Sequence, residues 1–168
     1  MGWKDINGAV VADTVYCDDV LVAKDTSFTI PGIAFATADV AAMGTMSVPI
    51  IGMLENMQLT VKQIGVDKGL SKLNKLKAQN LEFRWVETIV KSDGSLSQEG
   101  RKAFVRTMPS AIPDIGVETG SATELESTFN VTRCQVYADG KELFCVDRLA
   151  NVLRVGGKDY YSKIANLL

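Results

Sequence analysis

The chain has 168 residues, 46% of them apolar and 23% charged, a size and balance that suit one domain with a sizeable core and exclude wholesale disorder. Its formal net charge of −2 argues against a basic footprint for gripping nucleic acid and against bulk electrostatic binding to anionic lipid. It contains no histidine, which removes Ser-His-Asp and Cys-His nucleophiles, HExxH zinc sites and the commonest general base near neutral pH.

Taken in order, the first nineteen residues show no basic segment leading into a continuous apolar run, so no signal peptide is expected. Ile6 stands where a myristoylation signal wants Ser or Thr. Residues 13–33, DTVYCDDVLVAKDTSFTIPGI, set β-branched and aromatic residues among polar ones and predict one long or two short strands, closed by Pro31-Gly32.

Residues 36–57 differ in kind, with small side chains, few charges and the methionines Met43, Met46, Met53 and Met57. Gly44, Pro49 and Gly52 argue against a continuous helix, so a long loop or an open hairpin is expected. The charge-free run within it, 40–54, falls short of the roughly 20 apolar residues of a spanning helix. A strand is predicted over 58–66, then a short helix over 67–77. There Leu70, Leu73 and Leu76 form an apolar stripe beside four lysines, and Asp67 is the N-cap. Residues 79–94 and 100–110 read as two strands around a polar tip, and 110–126 as an acidic surface loop.

Motifs that could carry chemistry fail on their neighbours. Gly140-Lys141 and Gly157-Lys158 lack both the upstream glycine and the following Ser or Thr of a phosphate loop. Asp93-Gly94 and Asp139-Gly140 lack the ligand residues of a calcium loop. Asp18 and Asp19, taken as neighbours on a strand, would point to opposite faces and could not converge on one substrate. No catalytic, cofactor or metal residue is assigned, and an enzyme is not expected.

The most regular sheet lies at the C-terminal end, in TRCQVYADGKELFCVDRLANVLRVGGKDYY. A two-residue type I′ turn at Asp139-Gly140 would place Val136 opposite Leu143 and Cys134 opposite Cys145. Those four residues are then the candidate core layer, with Gln135, Tyr137, Glu142 and Phe144 on the other face. Three cysteines without a CxxC pair suit buried thiols in a chain made in a reducing cytoplasm. Leu149, Asn151 and Leu153 are read as one parity of a following strand, broken by Gly156-Gly157.

This C-terminal stretch resembles the major tail tube proteins of contractile-tailed bacteriophages. The resemblance lies in the turn and strand Asp139 to Leu143, the pair Val146-Asp147, the step Asn151 to Leu153 and the turn Gly157 to Asp159. Upstream, VAKDTSFTIPGI, MGTMSVPIIGMLENMQLTV and NLEFRW are similar to family elements in the same order, from about residue 20 onward. The resemblance implies a mainly β (α+β) fold: a single-domain antiparallel β-barrel or sandwich with one short flanking α-helix and a long extended loop. It implies a structural subunit that forms hexameric rings, stacked into a hollow tube inside a contractile sheath, located in a virion tail or tail-like particle.

The tube would be driven through the target envelope on contraction and serve as conduit for DNA. Partners would be further copies of the chain and the sheath, tape measure, baseplate and tail terminator proteins. The 36–57 loop would lie between rings, with Met43, Met46, Val48, Ile50, Ile51, Met53 and Leu54 as contact candidates. Two alternatives stay open: the tube of a headless, bacteriocin-like particle, and a small β-barrel module binding a ligand or peptide.

Overall fold

A computed structural model describes residues 4–24 and 26–168. Twelve strands follow in order: β1 Ile6–Cys17, β2 Val20–Lys24, β3 Ser27–Thr29, β4 Phe35–Ala41, β5 Thr45–Leu54, β6 Gln58–Ile64, then after α1 (Lys68–Leu73) β7 Gln79–Val90, β8 Leu96–Ala111, β9 Glu124–Ala138, β10 Lys141–Asp147, β11 Val152–Val155 and β12 Lys158–Asp159. A second short helix, α2, spans Tyr161–Ala165.

Ten strands form one antiparallel sheet that runs β12-β11-β10-β9-β8-β7-β1-β2. It forks at β9, whose first half pairs with β6 and whose second half pairs with β10. β3 extends the β6 branch, and Phe28 on it meets Phe83 of β7 at 4.7 Å between ring centroids and Trp85 at 5.7 Å. The two branches therefore fold over one another as a partly open barrel around a shared core. Alternation sets that core. Cross-strand partners Val15 and Phe83, Phe83 and Ala103, Ala103 and Val136, and Val105 and Cys134 all turn inward and are buried.

Asp67 caps α1 through its carboxylate, which accepts from Gly69 N at 2.8 Å. Leu73 is buried, whereas Leu76 lies beyond the last turn and is exposed, so the apolar stripe is shorter than its spacing predicts. Gly69 sits directly on the backbone of β2, leaving no room for a Cβ against the Val22 carbonyl. Below the helix, Gln79 Nε2 donates to Lys75 O at 2.8 Å, and the Cys17 thiol lies 3.2 Å from Gln79 Oε1.

Several sequence expectations change. The strand predicted from residue 13 begins earlier: residues 6–12, for which the sequence predicts no element, join it in β1, which pairs along β7 from Ile6 to Cys17. Asp18 and Asp19 are the β1–β2 turn, with φ of 47° and 67°, and are not strand neighbours. Residues 148–151 are also a turn, held by Asp147 Oδ1, which accepts from Leu149 N and Ala150 N at 3.0 Å each.

The largest correction concerns the β9–β10 hairpin. Asp139 and Gly140 form the tight turn with φ of 49° and 73°, and Lys141 faces Ala138. A bulge then intervenes between Glu142 and Phe144, so Val136 faces Phe144, Cys134 faces Val146 and Cys145 faces Gln135. Leu143 is the extra residue and is 46% exposed, so it is not a core residue. Its carbonyl accepts from Gly156 N at 3.0 Å. Cys134, Val136 and Cys145 are buried, but the two cysteines lie on opposite faces of the sheet and are free thiols.

Candidate assembly surfaces

Among the described residues β4 and β5 pair only with each other, Ala38 opposite Val48, Asp39 opposite Ser47 and Ala41 opposite Thr45. This hairpin stands off the barrel as an arm. Its turn carries Met43 (φ 51°) and Gly44 (φ 123°), and Ser47 Oγ donates to Asp39 Oδ1 at 2.6 Å on its flank. The contact candidates distribute along it: Met43, Met46, Ile51 and Met53 are exposed, while Val48, Ile50 and Leu54 are half-buried. Leu54 and Phe35, paired at the base, pack against the barrel core. Met57 does not belong to the arm: it is 2% exposed inside the core, and its carbonyl accepts from Val131 N at 3.0 Å.

Beyond the base, Met43, Met46, Ile51 and Met53 stay largely in water, so burial within the subunit does not repay their hydration. Fully burying a residue such as Ile or Met is worth roughly 1.5–3 kcal/mol, and the arm leaves most of that unrealised. Such surface marks an interaction site.

The second surface is the face of the large sheet turned away from the core. Register places Glu82 and Arg84 of β7, Lys102, Phe104 and Arg106 of β8, and Arg133, Gln135 and Tyr137 of β9 on it. Among the described residues three of the cationic groups there are met by carboxylates, Arg84 by Glu82, Arg154 by Glu142 at 3.1 Å and Arg133 by Asp147 at 3.7 Å, whereas Lys102 and Arg106 are not. Glu142 raises the Arg154 pKa by its charge, and the hydrogen bond that Arg84 Nε donates to the Glu82 carboxylate does the same for Arg84. Gln135 Nε2 donates to Tyr137 Oη at 2.6 Å and to Glu142 Oε2 at 2.7 Å, which joins these three residues with Arg154 in one polar network. Burial pushes the Cys134 thiol, on the core side, up to about 12, with a smaller push from Cys145. It stays protonated and unreactive at neutral pH.

The family model of the phage tail tube protein FII matches residues 10–168. The chain belongs to that family. It is a tail tube protein, a structural subunit of the tube of a tail or tail-like particle. Among solved structures it is similar to a chain of the sheath–tube complex of an extracellular contractile injection system (PVC) in the extended state. Identity there is 15% and the TM-score 0.50, over 75% of this chain and 88% of that one. It is also similar to a chain of the sheath/tube terminator of that system, at 13% identity and a TM-score of 0.50, over 75% and 93% respectively. At that identity the likeness speaks to the fold. No curated protein matches the chain.

The tail tube protein has two residues beside its arm that sequence reasoning missed, Arg148 and Tyr161. They reach the arm across 93 or more positions of chain in the case of Arg148, so no local pattern could have found them.

Proposed function

We propose that the subunits form hexameric rings that stack into a hollow tube inside a contractile sheath, with the β4–β5 arm as the contact between successive rings. The arm carries the reading: an apolar, methionine-rich hairpin that joins no further strand among the described residues. Methionine suits such a contact because its unbranched, polarisable side chain adapts to a neighbouring surface. The sheath–tube and sheath/tube-terminator assemblies of the structural neighbours support sheath and terminator proteins as partners; tape measure and baseplate proteins complete the proposed set. The net charge of −2 and the pairing of Arg133 and Arg154 with carboxylates suit a conduit that passes DNA without holding it.

The test is to shorten the arm. Replacing residues 40–46 by Asn-Gly leaves Asp39 opposite Ser47 across a two-residue turn. The expected product is a folded subunit with an unchanged unfolding midpoint that forms no tubes by electron microscopy. Tubes of normal length from the shortened subunit would reject the arm as the ring-to-ring contact. A full-length chain that stays monomeric at high concentration, alone and with its sheath partner, would reject the tube.

A further inference from the structure

The arm meets the barrel at an unusual joint. Phe35 pairs with Leu54, but the next aligned pair is Thr37 with Pro49, so residues 50–53 stand opposite Ala36 alone. A bulge of this size releases the ladder and lets a ribbon bend. Within it lies Gly52, at φ +103°, a conformation that L side chains rarely adopt. The joint by itself fixes no direction for the arm.

Three contacts close over it from the C-terminal end of the chain. The Tyr161 ring of α2 lies so near Gly52 that a Cβ there would sit 2.9 Å from Tyr161 Cε2 and 3.9 Å from Ile164 Cδ1. Arg148, in the turn after β10, donates through Nη2 to Leu54 O at 3.2 Å and through Nη1 to Glu55 O at 3.3 Å. Gly52, Leu54, Arg148 and Tyr161 line one cleft of about 160 Å³. α2 is itself held in place by Asp159, whose Oδ1 accepts from Tyr161 N at 3.0 Å and Ser162 N at 3.3 Å. No residue of α2 is fully buried, and of the helix only the half-buried Tyr161 packs against the core.

We propose that α2 and Arg148 form the seat of the arm: Tyr161 against Gly52, and the Arg148 guanidinium on the Leu54 and Glu55 carbonyls, fix the angle at which the hairpin leaves the barrel. Gly52 serves as the joint because any side chain there would displace the ring. The seat rests on the reading of the arm as a ring-to-ring contact. It lets the free subunit present the hairpin already oriented, so the ordering entropy is not lost at each addition.

The experiment places spin labels at Met43→Cys on the arm tip and Glu126→Cys on strand β9 of the barrel in the full chain, whose native thiols are buried. The free subunit is expected to give one narrow distance distribution. Tyr161→Ala with Arg148→Ala should broaden it at a temperature where the barrel is still fully folded by circular dichroism, although the midpoint falls because Tyr161 packs on the core, and Tyr161→Phe, which keeps the ring, should restore the narrow distribution. Tube growth should slow about tenfold in the double variant and recover with the phenylalanine.

An unchanged distribution in the double variant overturns the seat. So does a broadened one with wild-type growth, because the arm's angle would then be irrelevant to assembly. The distances are read on the subunit alone. If no variant or wild type makes tubes, the tube reading fails while the distances still decide whether the seat exists.

Discussion

The arm and β9 are built from the same kinds of residue and meet opposite fates. β9 alternates Leu125, Ser127, Phe129, Val131 inward and is paired on both edges. β5, with Met46, Val48, Ile50, Ile51 and Met53, is as apolar, yet none of its residues is buried. Strand propensity is satisfied in both. What differs is a second layer: β9 has the β3–β6 and β7–β8 walls to close on, and the arm has only its own partner strand. Stability follows the second layer, so the barrel holds the fold and the arm holds surface available to another molecule.

The sharpest way to break this contrast is to cut a large side chain from each. Phe129→Ala is expected to cost about 3–5 kcal/mol in urea unfolding, through lost transfer energy and the cavity left behind. Ile51→Ala is expected to stay within about 0.5 kcal/mol of wild type and to impair tube growth instead. An arm substitution as costly as the core one would mean that the arm belongs to the core.

Glycines sharpen the comparison at the next level. Gly69→Ala sets a methyl against the backbone carbonyl of Val22, which cannot swing away as a side chain can. A loss of about 1–3 kcal/mol is expected as α1 lifts from β2, measured by the same unfolding curve. Gly44→Ala at the arm's tip meets no atom within 4 Å, leaving only the strain of its φ of +123°.

Titration separates the regions as well. Cys134 is in the barrel and has its pKa raised from 9.0 to about 12 by burial. The folded state therefore keeps a proton that the unfolded state loses above pH 9. Its contribution is intact below that pH and is lost as pH rises toward 12, at about 1.4 kcal/mol per unit. Cys17, also raised by burial, acts with the same sign. Stability should fall from pH 9 upward, less steeply in Cys134→Ala, and shortening the arm should leave the slope unchanged. The smallest effect is expected at Leu143, where Leu143→Ser should change stability by about 0.5 kcal/mol or less because the bulge exposes it.

Much of this molecule was legible in advance. The type I′ turn at Asp139-Gly140, the strands on either side of it, the capped helix after Asp67 and the break in character at 36–57 all follow from local chemistry, each decided by residues a few positions apart. The resemblance carried by the C-terminal stretch led to the family that the match over residues 10–168 shows.

Tertiary structure decided the rest. Parity within a strand is a sequence property, but which residue faces which depends on the partner. One extra residue at Leu143 moved Cys145 to the face opposite Cys134. The first half of β1, residues 6–12, is a strand because β7 is long enough to pair with it, and its own polar and apolar residues do not announce that pairing. The apolar run 45–54 could equally have filled a core. It became an arm because the barrel closed without it, and because Arg148 and Tyr161, remote in the chain, met its base.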